Sequence, residues 1–265
     1  VDLIGIEKDP KTVKGSKRGY LTGIQYLAHE RQASEALGRP INMCPWASDG
    51  CVNGCLITAG HGRFAPVQQA RINRTVLFMS DREAYWEKLI RELMGLERQA
   101  HKRDMIPVAR LNGVSDVLWE KTPVIIGDDR ANNIMELFPN IQFMDYTKAP
   151  YHKRPAESLP SNYDLTFSRS ESNDIEVLEN LINGRRVAVV FDSKPTDPIP
   201  EYYNAIIPRY HANTSFKNYG LDQVEVVSGD ENDLRFLDPA GVVVHLYAKG
   251  KARKDTTGFV VKRGQ

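Results

Sequence analysis

All three cysteines of the chain fall in one stretch, Cys44-Pro-Trp-Ala-Ser-Asp-Gly-Cys51-Val-Asn-Gly-Cys55, at C-x6-C-x3-C spacing. Thiolates are soft ligands that suit zinc and iron–sulfur clusters. Gly50 and Gly54 each precede a cysteine. Glycine lets a backbone turn sulfurs towards one centre without a Cβ penalty. Three sulfurs leave a four-coordinate metal one ligand short. His61, six residues past Cys55, would close a structural zinc site. Alternatively, three thiolates hold a [4Fe–4S] cluster and leave one iron open to a substrate or cofactor. A third reading is three reduced thiols with no metal, and the gathering of every cysteine in one stretch speaks against it. The spacing matches no common zinc pattern. The expectation is therefore a cluster on Cys44, Cys51 and Cys55. Trp46 would shield it from water and tune its potential.

A second set of candidates follows apolar runs. Residues 106–111 lead into Asn112-Gly113-Val114-Ser115-Asp116, and Phe143-Met144 leads into Asp145-Tyr146-Thr147-Lys148. Residues 165–167 lead into Ser168-Arg169-Ser170-Glu171, and residues 187–191 into Asp192-Ser193-Lys194. Loops after strand C-termini form the active face of a parallel α/β barrel, although helix N-caps also want Ser, Asp or Asn. Asp145, Lys148 and Glu171 are the catalytic candidates, positioning substrate or moving protons. Asp145 with Lys148 also reads as a surface ion pair of small worth. Arg71 and Arg74, one turn apart, face an anion or only solvent. Lys249, Lys251, Arg253 and Lys254 read as a solvated basic tail, or as a polyanion contact. His245 reads as a packed strand residue.

These residues need elements to position them. Helical patterns cover residues 66–78 and a second segment opening at a capping box, Ser80-x-x-Glu83. In that segment Tyr85, Trp86, Leu89, Ile90, Leu93 and Met94 repeat at core spacing. A third helix runs from Asn173, capped with Glu176, to Gly184. Strands are expected at 20–27, 106–111, 141–144, 164–167, 187–191, 224–227 and 242–246. Continuous apolar strands alternating with helices imply a parallel sheet covered on both faces. The expected fold is one α/β domain over residues 1–265, a partial or distorted parallel (β/α) barrel. Its three-cysteine loop, residues 44–63, follows an early strand, and residues 193–218 form a long loop or insertion.

Composition narrows the function. Lysine plus arginine is 35 against 34 for aspartate plus glutamate, a net charge of +1, which excludes polyanion binding driven by overall charge. Few and clustered cysteines point to a reducing, cytoplasmic setting. The opening residues lack a signal-peptide pattern, and no apolar run is long enough for a membrane span. Neither G-x-x-x-x-G-K-[ST] nor G-x-G-x-x-G nor G-x-S-x-G occurs.

Several blocks together carry a resemblance. They include Cys44-Pro-Trp-Ala-x-x-Gly-Cys51 with Cys55 and Thr58-Ala-Gly60, then Gln69-Ala-Arg-Ile-x-Arg-Thr75. Arg110-Leu-Asn-Gly-x-Ser-Asp116, Trp119-Glu120, Asp145-Tyr-Thr-Lys148 and Leu165-Thr-Phe-Ser-Arg-Ser-Glu-Ser-Asn173 continue it. Val187-Ala-Val-Val-Phe191, residues 230–243 and Lys249-Gly-x-Ala-Arg-Lys-Asp255 complete it. In these the chain resembles the phage-encoded gene product 88 family, first named from mycobacteriophages, which implies a phage or prophage origin.

More remotely, the order of an early strand, a three-cysteine loop, a helix and alternating strands resembles the radical S-adenosylmethionine enzymes. That likeness implies a [4Fe–4S] cluster whose open iron chelates S-adenosylmethionine, reduced by a host ferredoxin or flavodoxin. It implies that Asn112, Gly113 and Asp116 lie beside the cofactor's amine, and that Ser168, Arg169 and Glu171 meet its ribose and carboxylate. The spacing departs from that family's C-x3-C-x2-C, and Gly54 stands where an aromatic is usual. The other expectation is a metal-stabilised module, with zinc or iron–sulfur, that binds nucleic acid or senses redox state without turnover.

Overall fold

A computed structural model describes residues 1–203 and 223–262. The fold is mixed α/β with mostly parallel strand pairing. Two compact units are present, Val1–Pro45 with His61–Asp145 and Leu159–Asp164, and Trp46–Gly60 with Tyr146–Ser158 and Leu165–Gln265.

In the first unit, β1 (Ile4–Ile6) lies antiparallel to β2 (Tyr20–Gln25). Parallel to β2 comes β3 (Ile106–Arg110), and parallel to β3 comes β6 (Gln142–Thr147). Helix α1 (Pro10–Ser16) joins β1 to β2, and α2 (Glu30–Leu37) follows β2. Then α4 (Ala65–Ser80) and α5 (Arg82–Lys102) return the chain to β3. A hairpin of β4 (Val124–Ile126) and β5 (Asp129–Ala131), and the short α6 (Ile134–Leu137), precede β6. Helix α5 packs on β1, β2, β3 and β4. Its buried face is Tyr85, Trp86, Leu89, Leu93, Leu96 and Ala100. Those positions follow the 3.6-residue repeat. Met94 falls off it and stays 46% exposed, so the expected core stripe is corrected at that position. Phe78, Tyr85, Trp86 and Trp119 stack edge-on beneath.

The second unit orders its strands β7 (Tyr163–Ser168), β8 (Val187–Phe191), β11 (Val243–Tyr247), β10 (Val224–Ser228) and β9 (Tyr202–Tyr203). The pairings β7–β8, β8–β11 and β11–β10 are parallel, and β10–β9 is antiparallel. Between β7 and β8, α7 (Asp174–Ile182) buries Val177, Leu178 and Leu181 against Phe167, Val187 and Val189. The short α3 (Asp49–Asn53) belongs to this unit.

Several expectations change at element ends. Ser80 is the last residue of α4, and Asp81 caps α5 by accepting from Ala84 N at 3.0 Å. A carboxylate beside the orphan amides displaces the serine, and Glu83 instead accepts from Gly127 N. Asn173 does not cap α7 with its side chain; its amide holds Ser168 O and Ser170 N instead. Residues 44–63 are not plain loop, because they contain α3 and the 3-10 turns Leu56–Thr58 and Gly60–Arg63. Strand β6 runs on through Asp145, so that carboxylate sits in a strand. The expected insertion is described only to residue 203, with Tyr203 buried on the second unit's core; residues 204–218 lie outside the described residues. No described helix is long and apolar enough to cross a membrane.

Candidate functional site

In the first unit the cysteine segment meets the loop after β3. The Cys44 thiol donates to Val114 O at 3.1 Å, and Asp116 N donates to Met43 O at 2.7 Å. That loop is held from within by Asn112. Its Oδ1 accepts from Ser115 Oγ, Val117 N and Trp119 Nε1 at 2.8 to 3.0 Å, and its Nδ2 donates to Val117 O. Its backbone N donates to Asp145 Oδ1 at 2.7 Å. Through these bonds Asn112 shapes the turn. Gly113 donates to Gln25 O at 3.0 Å, and a Cβ there would lie 2.5 Å from that oxygen and from the Tyr26 ring. The chain needs glycine at this crossing because two backbones touch. Asp116 is buried in the same loop.

Asp145 is buried and accepts from Asn112 N and from the Tyr163 hydroxyl at 2.9 Å. It braces the loop and the strand end. In the second unit, Lys148 Nζ donates to Ser168 Oγ at 2.6 Å and to Ser168 O and Arg169 O at 3.2 Å. Three acceptors suit an ammonium with three donors.

The segment with Cys51 and Cys55 is built around α3. Ser48 caps it, accepting from Cys51 N at 3.2 Å. Glu171, in the loop after β7, accepts from Ser48 Oγ and from Gly50 N, both at 2.7 Å. Both carboxylate oxygens hold the start of the cysteine helix. A Cβ on Gly50 would collide with Thr257 Oγ1 and meet Phe259 Cβ at 2.6 Å and Glu171 Oε2 at 2.7 Å. Neither Gly50 nor Gly54 has a positive φ, so close packing, not backbone freedom, demands glycine at Gly50. Cys51 lies within α3, and Cys55 follows its end, just before the turn Leu56–Thr58.

Arg169 is buried and grips the C-terminal loop. Its Nη1 donates to Gly258 O at 2.7 Å, and its Nε pairs with Asp174 at 3.1 Å. Burial raises the Asp174 carboxyl and outweighs the lowering by Arg169. Burial likewise raises the Tyr203 hydroxyl. Asp255 ties that loop by accepting from Thr257 N and Oγ1, Gly258 N and Val260 N. Burial pushes its carboxyl up, but these donors together hold it below the usual range.

Other expectations resolve plainly. Arg71 is buried with its guanidinium 5.0 Å from the Tyr26 ring, and Arg74 donates to Tyr26 O, so neither is a solvated face. His245 is a packed strand residue, stacked on Phe191 at 4.7 Å and bonded to Ser193 Oγ at 3.0 Å. His61 is exposed and stacks on Phe64 at 5.7 Å. The basic run is not a tail, since Gly250–Lys254 forms a 3-10 turn packed on α3. Ser48 and Asp255 escaped the sequence reading. A serine before Asp-Gly-Cys is an N-cap signal, and Asp255-x-Thr257 is an Asx-turn pattern.

All three cysteines are half-buried thiols. Among the described residues, no three or more His, Cys, Asp or Glu side chains are gathered so as to hold a metal ion. The fit to a metal therefore rests on donor chemistry. Three thiols in one short segment are the donors that iron–sulfur chemistry uses.

No curated protein and no solved structure matches the chain. The family model for gene product 88 matches residues 6–263. With nearly its whole length matched, from the strand before α1 to the end of the loop that Arg169 grips, the chain belongs to the gene product 88 family.

Proposed function

We propose that the chain is an iron–sulfur protein in which Cys44, Cys51 and Cys55 ligate a [4Fe–4S] cluster with one iron open. We further propose that it acts as a radical S-adenosylmethionine-like enzyme. One observation carries this reading: the cysteine segment is tied, at Cys44 and again at the start of α3, to loops that follow parallel strands. In the first unit the tie is Met43 and Cys44 to the loop after β3. In the second it is Ser48 and Gly50 to Glu171 after β7. Loops after strand C-termini are where parallel α/β folds place chemistry. The orders β2-β3-β6 and β7-β8-β11 both follow the chain, and this supports the partial-barrel reading. Metal binding recruits deprotonated thiolates and is coupled to local folding, so the ligands need not stand ready.

When bound, the cluster supplies low-potential one-electron chemistry to S-adenosylmethionine. The chain's own residues position and enclose. Asn112 and Gly113 set the turn that carries Asp116, whose carboxylate suits an amine. Lys148 fixes the backbone that carries Ser168 and Arg169, the proposed ribose and carboxylate contacts. Arg169 seals the second unit by holding Gly258 and Phe259.

The test is anaerobic purification with iron, sulfide and zinc assays, and electron paramagnetic resonance of the reduced protein with and without S-adenosylmethionine. Iron and sulfide with a signal moved by the cofactor is the expected result. An iron signal indifferent to the cofactor removes the enzyme reading and leaves a redox-sensing module. One zinc per chain without sulfide overturns the cluster.

A further inference from the structure

Asp192-Ser193-Lys194, the polar burst after β8, has no role in the cluster reading. Within the second unit it sets a serine against a histidine. Ser193 Oγ lies 3.0 Å from His245 Nε2. Hydrogen-bond reach between a hydroxyl and an imidazole is the first geometric requirement of an activated serine nucleophile.

Both partners are held in place. His245 belongs to β11, which is hydrogen-bonded between β8 and β10, with Val189 and Ser228 as its ladder partners. Its ring is buried and lies on Phe191 at 4.7 Å, with 11° between the planes. A strand paired on both sides fixes a base more precisely than a loop does. Ser193 lies just past the C-terminal end of β8, between two tied residues. Asp192 N donates to Val261 O at 2.9 Å, and Lys194 N donates to Asp197 Oδ2 at 2.6 Å. Ser193 is half-buried, so the serine keeps contact with solvent while the imidazole behind it is covered. Parallel α/β sheets take ligands outside the carboxyl ends of their strands. The surroundings select the substrate. Phe191 also meets Tyr203 edge-on at 5.9 Å. Aromatic rings beside the pair suit an apolar acyl group, whereas phosphoryl transfer calls for cations or a metal around the phosphate oxygens.

We propose that Ser193 and His245 are a nucleophile and its base, and that they take the acyl group of an activated ester with an apolar acyl part. The proposal is independent of the cluster reading. With the ring proton on Nδ1, Nε2 accepts from the Ser193 hydroxyl. The serine oxygen attacks the ester carbonyl carbon and its proton passes to Nε2. A bond forms between that oxygen and the acyl carbon. The bond to the leaving oxygen breaks, and that oxygen takes the proton back from Nε2. The products are an acyl-serine and an alcohol. Water then repeats the sequence, freeing the acid and restoring the serine.

Two probes test it on the full chain: an alkyl fluorophosphonate, which a nucleophilic serine attacks with loss of fluoride, and p-nitrophenyl butyrate, whose nitrophenolate is read by absorbance. Peptide mass spectrometry should place the phosphonate on Ser193. Ser193→Ala should lose that adduct and release nitrophenolate no faster than buffer does. His245→Asn keeps a flat polar side chain and removes the base; it should slow labelling of Ser193 about a hundredfold or more. Thermal melts of each variant show that it is folded. If His245→Asn does not fold, Ser193→Cys decides. A thiol beside an imidazole gains thiolate character, so iodoacetamide should alkylate the new thiol faster than Cys44, Cys51 and Cys55 of the same chain. A serine that only satisfies a buried ring would stay unlabelled, and no adduct at Ser193 overturns the proposal. So does a folded His245→Asn variant labelled at the natural rate, or a new thiol no faster than the other three.

Discussion

Glu171 shows how a side chain picked out for chemistry is also held within the fold. Its position after an apolar run marked it for chemistry, yet its two oxygens are taken by Ser48 Oγ and Gly50 N. Glu171→Ala leaves an amide and a hydroxyl without their charged acceptor, a loss of about 1.5–3 kcal/mol. Urea unfolding should read this, and Glu171→Gln should recover part of it. Iron content should drop in the alanine variant because α3 loses its anchor. Gly50 tells a similar story, since the collision partners of its missing Cβ come from residues far along the chain. Gly50→Ala should destabilise by about 1–3 kcal/mol through overpacking. Gly95, within α5, is the contrast: a Cβ there meets nothing nearer than Arg98 Nη2 at 3.9 Å. Gly95→Ala should stabilise by about 0.5–1 kcal/mol on helix propensity, read in the same unfolding experiment.

Elements were legible where periodicity is strong and local. Strand β8 occupies the expected residues 187–191, and β3 differs only by ending at Arg110. Starts and ends shifted where a neighbouring side chain competed, as Asp81 did with Ser80 for the amides of α5. The C-terminal loop, residues 255–260, was not legible as an element. It has no period and is held by Asp255 and Arg169. Its pH response follows from the lowered Asp255 carboxyl. A carboxyl lower in the folded than in the unfolded chain adds stability above the unfolded value, and that stability is lost as pH falls through the folded value. The melting temperature should therefore fall as pH drops below the ordinary carboxylate range. Asp255→Asn should melt lower near neutral pH and lose part of that acid-side slope. Identical slopes in the two proteins would remove Asp255 from the account.

At the scale of the whole molecule, the proposed ligand set makes an all-or-none forecast. Cys44→Ser, Cys51→Ser and Cys55→Ser should each reduce iron per chain to background, while His61→Ala should keep it. Elemental analysis of anaerobically purified proteins decides this, and a histidine variant that loses its metal would restore the zinc reading. By itself the sequence determined the α/β class, the mostly parallel pairing and the family, because apolar runs, helix periods and motif blocks are written in local order. The cysteine chemistry, too, was posed by residue type and spacing alone. Only the tertiary structure decided which polar residues are occupied in holding the fold. Asn112, Asp145, Glu171 and Arg169 bond to groups between 3 and 123 residues away. A buried polar group must find its partner wherever folding brings one, and no local pattern records where that will be.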